Sequence, residues 1–351
     1  MEKNHNKKPF FENGLQFSFK SLILVIFLVF ALYILIPKLV GLQQVFNLLL
    51  KIDKFYLFLA ILVEIISYCG AAWMLGIILW RLGYKVKFWD RFRIGSIAAF
   101  AIHFFPLGSF GQGAVDYYFL RKRKVASGSV LIMFILRTII CYCAFLLLFV
   151  LGLILVPTAP ALSFSPKIVS GVLLLLIILG VFYMFYLYHH KKHFNKVWDK
   201  YLGKMNWIFR KVKNKTVSDE RSQEIFEDIY EGIGLFGGKK RFTVLAIVAG
   251  VLYWLGDIFC LFFVLQSFGF TMHFGGLVFS YGVATLAGLI SFIPGGLGVT
   301  EGILGGVLSG LGTPVSLAFT AVLVFRFFSF WIWVPFGLYS FLSLRGESGK
   351  N

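Results

Sequence analysis

The sequence predicts an all-α polytopic membrane protein, and three observations predict it. Of its 351 residues 59% are hydrophobic and 14% charged, whereas soluble domains carry about a quarter charged residues. Apolar stretches long enough to span recur at about 21–36, 55–80, 127–156, 168–188, 242–267 and 315–343. Two more apolar segments, 94–120 and 275–313, break near their middles at proline and glycine. The expected architecture is about six full spans plus two broken, re-entrant helical hairpins, eight hydrophobic segments in all.

Residues 1–19 form an amino-terminal tail, and Lys3, Lys7, Lys8 and Lys20 precede the first span with no small-residue cleavage site after it. This reads as a retained signal-anchor. Residues 20–345 then form a single integral membrane domain, and 346–351 a short tail. The four cysteines, Cys69, Cys141, Cys143 and Cys260, lie within apolar spans and read as small hydrophobes. Cys141 and Cys143 point to different sides of a helix and make a poor metal pair, so no metal site is expected. A net charge of +18 would suggest nucleic acid in a soluble chain. In this one it fits topology and anionic head groups, and no nucleic-acid partner is expected.

Lysine and arginine set the orientation. Residues 1–20 carry four, 81–93 five, 121–124 four and 190–241 thirteen, against three in 37–54, one in 157–167 and none in 268–274. The positive-inside rule puts both termini and the strongly basic segments in the cytoplasm. Both flanks of 94–120 are then cytoplasmic. Ile94–Phe105 would give roughly 18 Å of helix, too short to cross, before breaking at Pro106, Gly108, Gly111 and Gly113. The economical reading is a hairpin that dips in from the cytoplasm. The segment 275–313 is its mirror, dipping from outside and breaking at Pro294, Gly295, Gly296 and Gly298. A full crossing by 275–293 with a short return gives the same end points.

The hairpins look like copies. Pro106 is followed by Gln112, Asp116 and, after a short loop, a helix holding Arg137; Pro294 is followed by Glu301, the Gly312-Thr313-Pro314 loop and a helix holding Arg326. Proline to arginine is 31 residues in one and 32 in the other. Repeat 1 runs about 55–156 and repeat 2 about 242–343. Opposite entry sides make this an inverted repeat with paired broken helices, which in membrane proteins points to a transport site.

Charges at membrane depth are costly and face the interior in pairs. The candidates are Arg137, Arg326, Asp116 and Glu301, with Glu64 and Asp257 secondary. One reading makes the arginines internal ion pairs with Glu64, Asp257 or Glu301. The other lines a head-group or ion path with them, Gln112 included, and uses Pro106, Pro294, Gly295, Gly296 and Gly298 for backbone room. The helix starting near Val299 could aim its positive end at a phosphate, or Glu301 could satisfy that end itself. Gly302, Gly306 and Gly310 form a GxxxGxxxG face that reads as close helix packing. His103 and His273 read as packed or hydrogen-bonded imidazoles. The 190–241 loop reads as an interfacial amphipathic helix carrying Trp198, Ile208 and Phe209, followed by a more acidic surface helix from Ser218 to Tyr230.

The run Pro294-Gly-Gly-Leu-Gly-Val-Thr-Glu-Gly302, then Gly312-x-Pro314 and Arg326, resembles the lysylphosphatidylglycerol synthase transmembrane family. Pro106 to Gln112, Asp116 to Arg121, and Arg137 resemble that family's other motif, although relatives often carry Glu where Gln112 stands. The resemblance covers about 20–345. It implies a flippase-like membrane domain without the lysine-transferring soluble domain, set in a bacterial cytoplasmic membrane. The function expected is translocation of a phospholipid or modified phospholipid, with membrane phospholipids as partners and no cofactor. The alternatives are an accessory subunit of a separate lipid-modifying synthase, or a small-solute or ion transporter. A membrane transferase would need acidic residues in an outward loop, and those segments hold only Asp53. No HExxH or Walker-type loop occurs either.

Overall fold

The computed structural model describes residues 42–104, 109–156, 189–200, 240–291 and 293–346, with single positions between 175 and 234. The spans expected at 21–36 and 168–188, the first break at Pro106 and Gly108, and most of the 190–241 loop lie outside them. Ten main helices follow in order: α1 (Leu42–Leu50), α2 (Lys54–Arg81), α3 (Phe88–Phe104), α4 (Ser109–Lys122), α5 (Ser127–Leu155), α6 (Lys240–Ser267), α7 (Phe274–Ile290), α8 (Val299–Gly310), α9 (Val315–Arg326) and α10 (Trp333–Gly346). A π-helical turn, Phe327–Trp331, joins α9 to α10. Among the described residues, four helices are long and apolar enough to cross a membrane: Lys54–Arg81, Ser127–Leu155, Arg241–Ser267 and Val315–Gly346. They coincide with four of the expected spans.

The long helices α2 and α6 run antiparallel along their whole lengths. At one end Asp53 N–H donates to the Ser267 carbonyl at 2.9 Å. At the other the rings of Trp80 and Phe242 lie 4.8 Å apart. Between these ends the backbones approach closely because each helix offers a glycine. A Cβ on Gly70 would sit 3.0 Å from the Ala249 carbonyl oxygen, and one on Gly256 would sit 2.4 Å from Ser67 Cβ. Small residues at such a crossing let dispersion hold apolar helices together where no hydrophobic force separates helix from lipid.

Each broken segment folds as a helical hairpin whose two ends return to one place. Asp90 at the start of α3 binds Arg123 just beyond α4 at 2.8 Å, and Arg93 at 2.7 Å. Arg93 also donates to Ser343 at the end of α10 at 3.1 Å. At the second hairpin, a Cβ on Gly276 near the start of α7 would touch Leu311, just past α8, at 3.4 Å. Both hairpins thus open with a 17-residue helix, α3 or α7, and close with a shorter one.

The packing pattern is shared between halves. Helix α3 rests on α4 as α7 does on α8, and α4 meets α5 as α8 meets α9. Helix α7 leans on α5 as α3 leans on α10, and α2 touches α5 as α6 touches α9. In addition α3 reaches the turn at Pro294–Gly296, so one hairpin touches the tip of the other.

One expectation is corrected. Among the described residues Gly302 and Gly306 face open space, and Gly305 is the glycine that seats a neighbour, the Phe319 ring. The buried face of α8 carries Glu301, Leu304, Gly305 and Leu308 at three- and four-residue spacing. In the 190–241 loop, Phe194 and Trp198 pack on the buried Phe226. Of the residues on the expected amphipathic face, Trp198 alone is described, and the others lie outside the described residues.

Gly256→Ala forces its new methyl into Ser67 and the Val63 carbonyl. It is expected to cost about 1–3 kcal/mol, lowering the melting midpoint of the detergent-solubilised protein followed by gel filtration. Gly302→Ala, with open space around it, should leave that midpoint unchanged.

Candidate functional site

The second break shows how an interrupted backbone is held. Gly295, Gly296 and Gly298 have φ of 63°, 63° and 83°, the left-handed region that suits glycine. The short turn Pro294–Gly296 presses on α7, where a Cβ at Gly296 would lie 3.0 Å from Gly288 Cα. Glu301, buried in the first turn of α8, accepts from the Gly298 N–H at 2.6 Å through Oε2. Its Oε1 accepts from Arg326 Nε at 2.5 Å. Arg326 then reaches back to the Gly295 carbonyl at 3.1 Å. One carboxylate and one guanidinium therefore supply a donor and an acceptor that the broken chain lacks. The positive end of α8 is capped by its own Glu301, so the alternative in which that end waits for a phosphate is set aside.

The first half is held by a related clamp. Arg137 donates through Nη1 to both Asp116 oxygens, at 2.9 and 3.3 Å. With its amide oxygen turned toward the guanidinium, Gln112 accepts from Arg137 Nη2 at 2.7 Å and from Nη1 at 3.0 Å. Arg137 and Asp116 are both buried, Asp116 completely. Gln112 stands 25 residues before its arginine, as Glu301 does before Arg326. The carboxylate of the first half has moved one helical turn along α4, from that position to Asp116, on the same face. Arg137 was expected to pair with Glu64, Asp257 or Glu301. Asp116 takes that place because α4 lies directly against α5.

Between the two clamps lies a cavity of about 400 Å³. Arg137 and Gln112 line it from the first half, Arg326, Gly295 and Gly296 from the second, and Glu64 and Asp257 from the central α2–α6 pair. Asp116, Glu301 and Gly298 stand behind this lining, holding the residues that form it. Pro106 lies outside the described residues, and Pro294 opens the turn at the second tip. His273 caps α7, its ring accepting from Gly275 N–H at 3.2 Å, the hydrogen-bonded role expected for it. His103 falls where side chains are not described.

Sequence reading missed several polar residues of the cavity. Tyr281 lines it and donates through Oη to Asp257 at 2.6 Å, while behind the lining Ser67 Oγ, 3.2 Å from Asp257, donates to the carbonyl of Tyr253 at 2.7 Å. Tyr68 lines the cavity and stacks on Trp333 with ring centroids 4.0 Å apart. The signal existed: Glu64, Ser67 and Tyr68 repeat at helical spacing within an apolar span, as do Tyr253 and Asp257. The π-helical turn directly after Arg326 had no such signal. It brings Ser329 and Phe330 into the lining, and π-bulges recur at functional sites.

The arrangement offers a chamber of mixed lining, walled by broken backbone, aromatic rings and charges. No acid–base pair flanks a nucleophile in it, and the described residues hold no group of three metal-ligating side chains.

Comparison with known proteins agrees with this organisation. The family model described as the lysylphosphatidylglycerol synthase TM region matches residues 20–337. A UPF0104 membrane protein of Methanocaldococcus jannaschii is 24% identical over 341 residues, 95% of this chain and 97% of that protein. Two UPF0104 membrane proteins of Methanothermobacter thermautotrophicus are 30% and 27% identical over 132 and 131 residues. Those matches span 40% and 38% of the relatives' length, and 36% and 37% of this chain. All three relatives are archaeal, so they speak for a multi-pass membrane protein and not for a bacterial membrane in particular. With most of its length matched by the family model, this multi-pass membrane protein belongs to the lysylphosphatidylglycerol synthase transmembrane-region family.

Proposed function

We propose that this protein moves a phospholipid, or a modified phospholipid, across the membrane by passing the head group through the cavity between two re-entrant hairpins. One observation carries the reading. Both broken segments converge on a single chamber of about 400 Å³, lined by Arg137 and Gln112 from one half and Arg326, Gly295 and Gly296 from the other. Non-helical backbone at membrane depth is tolerated where it is wrapped in protein or borders a polar cavity, the usual setting of a transport site. The antiparallel course of α2 and α6, with contacts exchanged between halves, supports an inverted repeat with the cavity near its centre. Basic ends gathered at Asp90, Arg93 and Arg123 support a first hairpin that dips from the cytoplasmic side, in keeping with cytoplasmic termini.

In this reading the acyl tails stay in the bilayer while the head group crosses. Among the described residues Arg326 Nη1 makes no hydrogen bond, leaving its two N–H donors for phosphate oxygens. The two clamps keep their hairpins rigid while the cavity opens to one side or the other. The fold brings residues of both hairpins to the cavity wall, which favours a transporter over an accessory subunit that merely anchors a synthase.

Reconstituted into liposomes with head-group-labelled phosphatidylglycerol, with and without an aminoacylated analogue, the protein should expose label to an external quencher. Glu301→Gln and Arg326→Ala should each slow this roughly tenfold or more, as expected for the loss of at least 1.4 kcal/mol of support. Wild-type rates in both folded variants would remove the site assignment. A second expectation concerns the shifted carboxylate. Asp116→Asn leaves Arg137 buried without its counter-ion and should destabilise the protein by about 3–5 kcal/mol. Adding Gln112→Glu should restore most of the melting midpoint, because the second half carries its carboxylate at that position. Failure of the double variant to recover would show that the clamps are not interchangeable.

A further inference from the structure

The two clamps use Asp116 and Glu301 and commit both arginines, which leaves Glu64 and Asp257 without an ion pair among the described residues. They face each other across the α2–α6 crossing, where Gly256 packs on Val63 and Ser67 and Ser67 Oγ lies 3.2 Å from Asp257, which brings the two carboxyl groups within reach of each other. Both line the cavity. Glu64 is 1% exposed, and its Oε2 has no hydrogen-bond donor. Of the donors present, Tyr281 Oη serves Asp257 at 2.6 Å, Ser67 Oγ gives its proton to the Tyr253 carbonyl at 2.7 Å with Asp257 farther off at 3.2 Å, and beside Glu64 stands the weak thiol donor of Cys260. The remaining titratable neighbours are Tyr68 on α2, Cys141 and Arg137 on α5, Tyr253 and Cys260 on α6, and Arg326 on α9. The nearest cations are Arg137 and Arg326, each already engaged by its own carboxylate.

Two ionised carboxylates in contact, one of them buried with an oxygen that lacks a donor, would meet both mutual repulsion and a desolvation cost of several kcal/mol. A single proton held between them removes both penalties. It also supplies the donor that Glu64 Oε2 lacks. A monovalent metal cation would instead need several oxygens converging on one point. Here Tyr281 Oη points as a donor at Asp257 and Ser67 Oγ donates to the Tyr253 carbonyl, which leaves the pair better suited to a proton.

We infer that Glu64 and Asp257 share one proton and form a proton-binding site that opens onto the central cavity. Its position between the two halves would let a change of cavity exposure expose the proton to one side or the other. That consequence for transport rests on the flippase reading above, whereas the shared proton does not.

The test is infrared titration of the purified, full-length protein, following the carbonyl band of protonated carboxyl groups through neutral pH. The wild type should show such a band, and Glu64→Gln should lose it. Asp257 then keeps the Tyr281 donor, gains the new amide and loses the neighbouring carboxylate, so it is expected to stay ionised. If Glu64→Gln fails to fold, Asp257→Asn reads the same pair, since Glu64 then faces an amide and its band should shift or vanish. A wild type without the band, or a band unchanged in either variant, overturns the proposal. Loss of the wild-type band on adding sodium at constant pH overturns it too, in favour of a metal cation. Absence of lipid movement by the wild type in the liposome assay would sink the flippase reading and leave the carboxyl band to decide this one.

Discussion

A chain interrupted inside an apolar medium must satisfy its own backbone, and the Glu301–Arg326 clamp is where this protein does so. Helix α8 begins immediately after three glycines with positive φ, a sequence that strips the ladder of partners. Glu301 takes the Gly298 N–H and hands its other oxygen to Arg326, which in turn donates to the Gly295 carbonyl. None of these groups is cheap to bury alone. Together each one's cost is offset by its neighbour, so the ion pair and the break stabilise one another. Substituting either without the other leaves a buried charge, which is why such pairs matter more for what their loss costs than for what they add.

The rest of the site follows from where that clamp can stand. Arg326 lies at the end of α9, and the helix then widens into the π-helical turn Phe327–Trp331 before resuming as α10. Widening by one residue changes which side chains face inward, so Ser329 and Phe330 border the cavity while Arg326 still reaches the tip. The opposite wall is fixed by α2 and α6. Gly70 and Gly256 let these backbones approach closely, and this approach carries Glu64 and Asp257 into contact. Leu or Ile at either glycine would separate the helices and with them the carboxyl pair. Packing residues that touch no ligand therefore govern the electrostatics of the chamber.

Much of this was legible in the sequence because it depends on local rules. Long apolar runs, glycine–proline breaks and arginines deep in apolar helices follow from the cost of exposing backbone or charge to lipid, and they located four spanning helices, both hairpins and both clamp arginines. Partner choice was not local. Glu301 was among the partners considered for the arginines and is bound to Arg326, but Asp116 was not considered for Arg137. Its selection depends on α4 lying against α5, and on a carboxylate displaced by one turn from the Gln112 position. The glycine face of α8 misled for a similar reason. Spacing alone fits a packing stripe on Gly302 and Gly306, whereas the tertiary fold turns Gly305 inward to Phe319. Tyr281 is reached only through the position of α7, so its hydrogen bond to Asp257 carried no mark in the chain.

The charges of the cavity then form one system instead of two sites. Two arginines face four carboxylates, and two of these carboxylates are consumed in holding the hairpins. The other two sit between the halves, where the exchanged contacts meet. If both were ionised the chamber would carry an excess of two negative charges in a poorly polarisable setting, and an anionic phosphate would be repelled from it. A shared proton halves that excess and leaves Arg326 Nη1 the nearer influence on a phosphate oxygen. On the flippase reading, loss of the proton would restore the repulsion and weaken the hold on such a head group. On this argument the state of the carboxyl pair and the affinity for an anionic head group are linked through the electrostatics of one small volume, with no moving part required between them.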